Sequence, residues 1–536
     1  MTDVTPAPRR GRTARWLSGL LVLALTGGAT AWGLALPGTD PAASGASEVE
    51  VPAGTTSLVC PGPLTLPEDS DAGGSAFSRV PVDPVERVSA LDISGGSSGS
   101  LTVLGGETNA LSGGAFTLRG LAAPSVLSAP AQDDEAARVV GTTSAVTTDG
   151  DLRGLAAGSC TTASSDVWLV GGSTELESTA DLVLVNPGVT TAQVSLSVWG
   201  PAGAVDLATS TEVLVAPESS RTVVLPGIAA EQRRIVVHAQ ASGGQISAYL
   251  QDSLLDGLTP RGTDLVTAGA APATSQVVPG LMLRETAVDD PDAAQLRLLA
   301  PGEEGATVSV TLIGPDGEVA LSGAEDLALD PGVVTDLSLG GLPAGAYTAV
   351  VDADQPVVAG AMLAREGKTG DQDSVPRMDR AWAAATGTGG GLAARPPGAK
   401  ARLMLTVLDA ADDAVTAPDA EPSPTPTQGQ RPSGEEAADD GPTVDVTVRA
   451  YGPRGLLSEQ QVTVAVGTTD RLDLADLDED ATAVEVVAPD GVELAWSLFT
   501  WTAIDDGDLI SVVSPLLDAT TDRTVRVRPA DRAGLD

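Results

Sequence analysis

Three stretches of this chain repeat one another, and the spacing between them limits the possible folds more than any other feature. The first runs Leu182-Val-Leu-Val-Asn-Pro-Gly188 and then Ala192-Gln-Val-Ser-Leu-Ser-Val-Trp-Gly-Pro-Ala-Gly203. The second runs Leu296-Arg-Leu-Leu-Ala-Pro-Gly302 and then Ala306-Thr-Val-Ser-Val-Thr-Leu-Ile-Gly-Pro-Asp-Gly317. The third keeps only the latter half, Val444-Asp-Val-Thr-Val-Arg-Ala-Tyr-Gly-Pro-Arg-Gly455. Gly314 follows Gly200 by 114 residues and Gly452 follows Gly314 by 138, an excess of 24 that equals the length of the Pro/Glu/Ser-rich stretch 418–441. Recurrence of so long a unit implies an array of like domains, here expected as a rod that holds or spaces something rather than catalysing.

Alternation within the units sets the fold class. Val194, Leu196 and Val198, then Val308, Val310 and Leu312, then Val446, Val448 and Ala450 are apolar at every second position, with Ser, Thr or Arg between them. Period two marks a strand with one face on a core and the other in water. Gly-Pro-x-Gly then supplies a tight turn. About seven short strands in about 110 residues, with turns every 8–12, is the pattern of an immunoglobulin-like sandwich. Aromatic residues make up only 2% of the chain, so the cores are built from Val, Leu and Ala. The expected architecture is all-β: an N-terminal transmembrane helix, a disulfide-bearing β domain, then tandem immunoglobulin-like β-sandwich repeats. The expected limits are a basic cytoplasmic N-terminus (1–15), an anchor (16–36), a flexible spacer (37–57), an N-terminal β domain (58–165), and repeats at 166–275, 276–385 and 386–536. The last repeat carries a disordered insertion at 418–441, whose five prolines among acids, Ser and Thr cannot bury a core. The N-terminal β domain has no visible copy later in the sequence, and a strand near Thr524–Val527 is expected to finish the last sandwich.

Location follows from the first residues. Trp16 to Leu36 is 21 residues without a charge, preceded by Arg9, Arg10, Arg12 and Arg15 and followed by Asp40, Glu48 and Glu50. That length spans a bilayer, and the charge bias puts the N-terminus in the cytoplasm and the body outside. A cleaved signal peptide with Ala29-Thr30-Ala31 as its site is the alternative. With a formal net charge of −42, the body is expected to repel nucleic acid and anionic polymers and to have no basic patch that neutralises phosphates. Cys60 and Cys160 are the only cysteines; on the exported side of a membrane they read as a structural disulfide.

A search for chemistry returns little, and no catalytic, cofactor-binding or metal-binding residue is assigned. His238 is the only histidine and sits at a strand position without an evident partner. Gly95-Gly-Ser97-Ser-Gly99 matches the letters of a nucleophile elbow, but in a Gly/Ser loop of a β region and not at a strand-to-helix turn. The acidic clusters at Asp289, Asp290 and Asp292, at Asp409, Asp412 and Asp413, and from Asp473 to Asp480 do not fit a calcium loop. Trp496 and Trp501 read as core of the last sandwich; a sugar platform at Trp168, Trp496 or Trp501 is the other reading.

Taken with the anchor, Cys60-Pro-Gly-Pro63, Ser159-Cys160 leading to Val167-Trp-Leu-Val-Gly-Gly172, and Leu182-Val-Leu-Val-Asn-Pro-Gly188, the chain resembles a family of actinobacterial membrane-anchored envelope proteins known only as a domain of unknown function. The resemblance implies a cell-envelope location and supplies no catalytic residues. The expectation is a non-enzymatic, single-pass scaffold or accessory protein binding an envelope protein partner through sheet edges or inter-domain surfaces. A cell-wall glycan-binding module is the alternative, and an extracytoplasmic hydrolase comes third. No cofactor is expected, and the bilayer is the one partner the sequence itself implies.

Overall fold

The computed structural model describes residues 47–50, 53–66, 77, 82–94, 99–132, 135–208, 211–321, 323–370, 375–411, 414–415, 441–518 and 524–527. The anchor segment 16–36, Ser97 and nearly all of the insertion 418–441 lie outside them. No helix among the described residues is long and apolar enough to cross a membrane.

A small unit stands by itself: β1 (Ser47–Glu50) pairs antiparallel with the last strand, Thr524–Val527. Two expectations are corrected here. Residues 47–50 of the spacer form a strand, and Thr524–Val527 does not finish the last sandwich. Residues 56 and 57 also leave the spacer, because the next strand begins at Thr56.

The remaining strands form four sandwiches. The first has β2 (Thr56–Cys60), β3 (Val85–Asp92), β4 (Ser100–Val103), β5 (Thr108–Ala110), β6 (Ala115–Arg119), β7 (Ser125–Ala129), β8 (Val139–Thr147) and β9 (Gly154–Ser159). The second has β10 (Asp166–Val170), β11 (Ser178–Asn186), β12 (Ala192–Gly200), β13 (Gly203–Ala204), β14 (Glu212–Val215), β15 (Ser219–Val224), β16 (Val236–Ser242), β17 (Ser247–Asp256) and β18 (Thr259–Val266). The third has β19 (Ala273–Leu283), β20 (Gln295–Leu299), β21 (Ala306–Gly314), β22 (Gly317–Ala320), β23 (Leu327–Leu329), β24 (Thr335–Ser338), β25 (Gly345–Thr369) and β26 (Pro376–Ala384). The fourth has β27 (Gly391–Ala394), β28 (Lys400–Ala410), β29 (Thr443–Gly452), β30 (Gly455–Ala465), β31 (Thr469–Asp473), β32 (Ala483–Val487), β33 (Val492–Ile504), β34 (Gly507–Val513) and β35 (Leu516–Leu517); β36 is Thr524–Val527.

Strand order recurs four times. One sheet runs β2-β7-β4-β5, then β10-β16-β12-β13, then β19-β25-β21-β22, then β27-β32-β29-β30; the other runs β6-β3-β8-β9, β15-β11-β17-β18, β24-β20-β25-β26 and β31-β28-β33-β34. In the third sandwich β25 serves both sheets, its first half pairing with β19 and β21 and its second half with β20 and β26. The first domain therefore has the same plan as the three sequence repeats, although no sequence copy marks it. The Gly-Pro-x-Gly turn is the same object in each repeat. Gly200 pairs with Gly203, Gly314 with Gly317 and Gly452 with Gly455, and the closing glycine has φ of 118°, 109° and 107°, a region closed to most side chains.

These sandwiches are not strung as a rod. The final strands of the four, β9, β18, β26 and β34, pack side by side, and β34 returns to pack on β9. Each adjoining pair also shares an apolar seam. Val59, Ala156, Val183 and Tyr249 join the first to the second, and Val170, Val236, Leu299 and Val358 join the second to the third. Met404, Phe499 and Val512 enter the core of the third from the fourth. Leu91, Val140, Leu392 and Tyr451 join the fourth back to the first, where Arg138 pairs with the buried Glu485. An open array would leave these last surfaces wet; closing the circuit buries them.

Polar groups fill the place where the final strands meet. Asp264 on β18 is 1% exposed; its carboxylate accepts the Trp382 amide of β26 at 2.8 Å, the Ser511 hydroxyl of β34 at 2.9 Å and the Ala157 amide of β9 at 3.3 Å. One side chain thus ties all four sandwiches. Asp379 on β26 accepts the Ile510 amide at 2.6 Å. The fully buried Arg153 donates to the Met378 carbonyl at 3.0 Å. Close approach needs Gly154, where a Cβ would lie 2.5 Å from the Thr263 carbonyl.

Burial pushes the Asp379 carboxyl up to about 7 despite the Ile510 amide and Arg153, and burial alone does the same to Asp181 on β11. Both hold a proton more tightly folded than unfolded, where a carboxyl titrates near 3.9. The stability this contributes is present in full below about 3.9 and lost as pH rises through about 7. Thermal unfolding is therefore expected at a higher temperature at pH 5 than at pH 8. Asp379→Asn and Asp181→Asn should each reduce that difference, by on the order of 1–3 kcal/mol. An unchanged pH profile in both variants would refute the assignment.

Candidate functional site

Two of the recesses that the described residues form on the seams between sandwiches bring together groups with binding chemistry. The first, of about 490 Å³, opens between the second and third. Register makes it: Trp168 on β10 lies opposite His238 on β16, and Ser197 on β12 lies opposite His238 from the other side. Three neighbouring strands thereby present their rings on the sheet face turned away from the Val194–Leu196–Val198 core. His238 stacks on Trp168 with centroids 4.1 Å apart, and Trp199 stacks on Trp168 at 5.5 Å. Asp166 Oδ1 lies 3.0 Å from His238 Nε2, which supplies the partner the sequence did not. Glu303, Glu304 and Gln355 rim the opening. The Trp168 Nε1 is buried without a hydrogen-bond partner among the described residues. Flat rings beside carboxylates and an amide can stack against a sugar face and bond its hydroxyls.

The second recess, of about 610 Å³, opens between the third and fourth sandwiches. Arg284, just after β19, and Arg365 on β25 come from one side; Arg402 on β28 and Arg471 on β31 come from the other. Phe499 and Trp501 on β33 form its apolar wall, with the Arg365 guanidinium 5.9 Å from the Phe499 ring and that of Arg402 5.3 Å from Trp501. A basic patch therefore exists, against the expectation from sequence. The four arginines are separated by dozens of residues, and no local run announces them.

Other sequence candidates fall elsewhere. Trp496 is core, 1% exposed, with its Nε1 donating to the Gly389 carbonyl at 3.0 Å, whereas Trp501 is half-buried at the second recess. Cys60 and Cys160 form the disulfide, joining β2 to the end of β9 inside the first core. Among the described residues no group of three or more His, Cys, Asp or Glu side chains is placed to hold a metal ion. The buried axis was not foreseen either; its signal is the charged residues set into apolar final strands, as in Arg261-Gly-Thr-Asp-Leu-Val266.

Comparison with known proteins adds a family and no activity. No curated protein matches the chain. The crystal structure of Thermotoga maritima 1070 is similar over 21% of this chain and 95% of its own, at 15% identity and a TM-score of 0.17, too low to carry an argument. A family model described as a family of unknown function (DUF5719) matches residues 117–430, from β6 of the first sandwich past β28 of the fourth, a span that includes Arg153, Asp264 and Asp379. The chain belongs to this family, DUF5719.

Proposed function

We propose that this protein is a non-enzymatic, membrane-anchored scaffold or accessory protein of an actinobacterial cell envelope, whose body of immunoglobulin-like sandwiches lies outside the membrane and holds a protein partner. The observation that carries the reading is β30. In the first three sandwiches the corresponding edge is short or broken: β5 has 3 residues, β13 and β14 split the edge of the second, and β22 and β23 split that of the third. In the fourth, β30 is one strand of 11 residues at the end of its sheet. A long edge strand presents unpaired amides and carbonyls to which a partner can add a strand. The disulfide agrees with an oxidising compartment, and the uncharged segment 16–36 agrees with an anchor.

A second reading, a cell-wall glycan-binding module, is favoured by the Trp199–Trp168–His238 stack. Photocrosslinking in intact cells separates the two. With the crosslinking residue at Gln460 on β30, one envelope protein should be captured; with it at Ala204 on β13, that adduct should be absent. Equal labelling at both positions, or retention of the chain on cell-wall glycan that is lost in Trp199→Ala, would replace the first reading by the second.

A further inference from the structure

We infer that the recess between the third and fourth sandwiches is a binding site for a small anion, a phosphate or carboxylate group attached to an apolar, planar moiety. Arg402 is committed to Asp473, with Nη2 2.9 Å from Oδ2, and Arg284 reaches Glu366 at 3.3 Å, although its Nε is buried without a partner among the described residues. Arg365 and Arg471 have no ion pair among the described residues. Among the described residues the only hydrogen bond of Arg365 is a long one, 3.4 Å, to the Met282 carbonyl. A guanidinium carries five donors and cannot shed its charge at physiological pH. Held in a half-buried recess with one weak bond, it leaves most of its hydrogen-bonding capacity unused and bears a desolvation cost.

Burial and the neighbouring Arg284 depress the Arg365 guanidinium, while Asp508 and Asp379 work against them. Among the described residues Asp508 is the one carboxylate lining the recess, and it does not reach ion-pair distance of any of the four arginines. The bare recess therefore carries an excess of positive charge in a chain of net charge −42. An anion seated between Arg365 and Arg471 would receive charge-assisted, two-pronged hydrogen bonds. Phe499 is buried, and Trp501 is half-buried with the Arg402 guanidinium over its ring, so the exposed edge of Trp501 is the apolar surface left for whatever the anion is attached to.

Calorimetric titration of the full chain tests the site, with phenyl phosphate, inorganic phosphate and benzoate as probes at millimolar concentration. Saturable one-to-one binding of phenyl phosphate or benzoate is expected, and the stronger of the two tells whether phosphate or carboxylate is the preferred group. Inorganic phosphate should bind about tenfold more weakly than phenyl phosphate. Arg365→Gln and Arg471→Gln should each weaken binding by about tenfold or more. Arg471 is exposed, so its variant tests the site without disturbing the fold, and melting temperatures check both. Absence of saturable binding by all three probes, or binding unaffected by either substitution, would overturn the inference. Inorganic phosphate binding as tightly as phenyl phosphate would overturn the apolar half of it.

Discussion

Asp264→Ala is expected to destabilise the protein by about 3–5 kcal/mol at neutral pH, the range for removing one partner from a buried charged or hydrogen-bonded cluster. Its carboxylate is the acceptor for donors from β9, β26 and β34 while itself sitting on β18. Truncation strands the Trp382 and Ala157 amides in a dry interior, each at about 1–3 kcal/mol if no water replaces the oxygen, and leaves the Ser511 hydroxyl only the Ala157 carbonyl at 3.5 Å. The residue is also held protonated to a higher pH than usual: burial, helped by the nearby Asp379, raises its pKa well above the ordinary carboxyl value, against the Trp382 and Leu265 amides and the Ser511 hydroxyl. Asp264→Asn keeps the shape and one acceptor, and should cost less than the alanine. Chemical denaturation of the two variants measures both numbers. Equal and small losses, under about 1 kcal/mol, would mean that the axis is not what binds the sandwiches together. A loss confined to the second sandwich, with the others unfolding at their wild-type midpoint, would mean the same.

Replacing both cysteines by serine should have an effect of similar size. The bridge closes a loop of 100 residues, for which the chain-entropy account gives about 4–5 kcal/mol. Both cysteines are buried, at 0% and 1% exposure, among Leu58, Leu101 and Leu127, so two hydroxyls would also enter an apolar core. Gly141 packs beneath the bridge, where a Cβ would lie 2.6 Å from the Cys160 sulfur. Because β9 follows directly from the bridged core to the axis, the loss should be felt beyond the first sandwich. Denaturant midpoints of the oxidised protein and the double serine variant test this. A shift of less than about 1 kcal/mol would contradict it.

Local features of the fold were legible in the sequence, and features of assembly were not. Alternation at Val194, Val308 and Val446 and the Gly-Pro-x-Gly turn revealed strands, register and three related units, because each depends on residues adjacent along the chain. The first sandwich shares their strand order without their sequence, since Val, Leu and Ala cores tolerate many sequences of the right pattern. The final strands β18 and β26 escaped notice: Thr259–Val266 and Pro376–Ala384 mix apolar residues with arginines and aspartates, a composition that reads as exposed. Their partners are ions, amides and a hydroxyl on other sandwiches, which no single segment can announce. The same reason hid the arginine recess, whose four members meet only after folding. The ring stack is half visible in the sequence: Trp168 is a candidate platform and His238 the lone histidine, but only the register of β10 on β16 brings them together.

The central claim is that four sandwiches, related by strand order, share one interior and unfold as one body. Differential scanning calorimetry of the full chain under reversible conditions tests it most directly. Unfolding as one body predicts a single endotherm with a ratio of calorimetric to van't Hoff enthalpy near 1. Separate transitions, or a ratio of about 4, the value for four independent units of similar size, would contradict it and return the chain to an open string of domains.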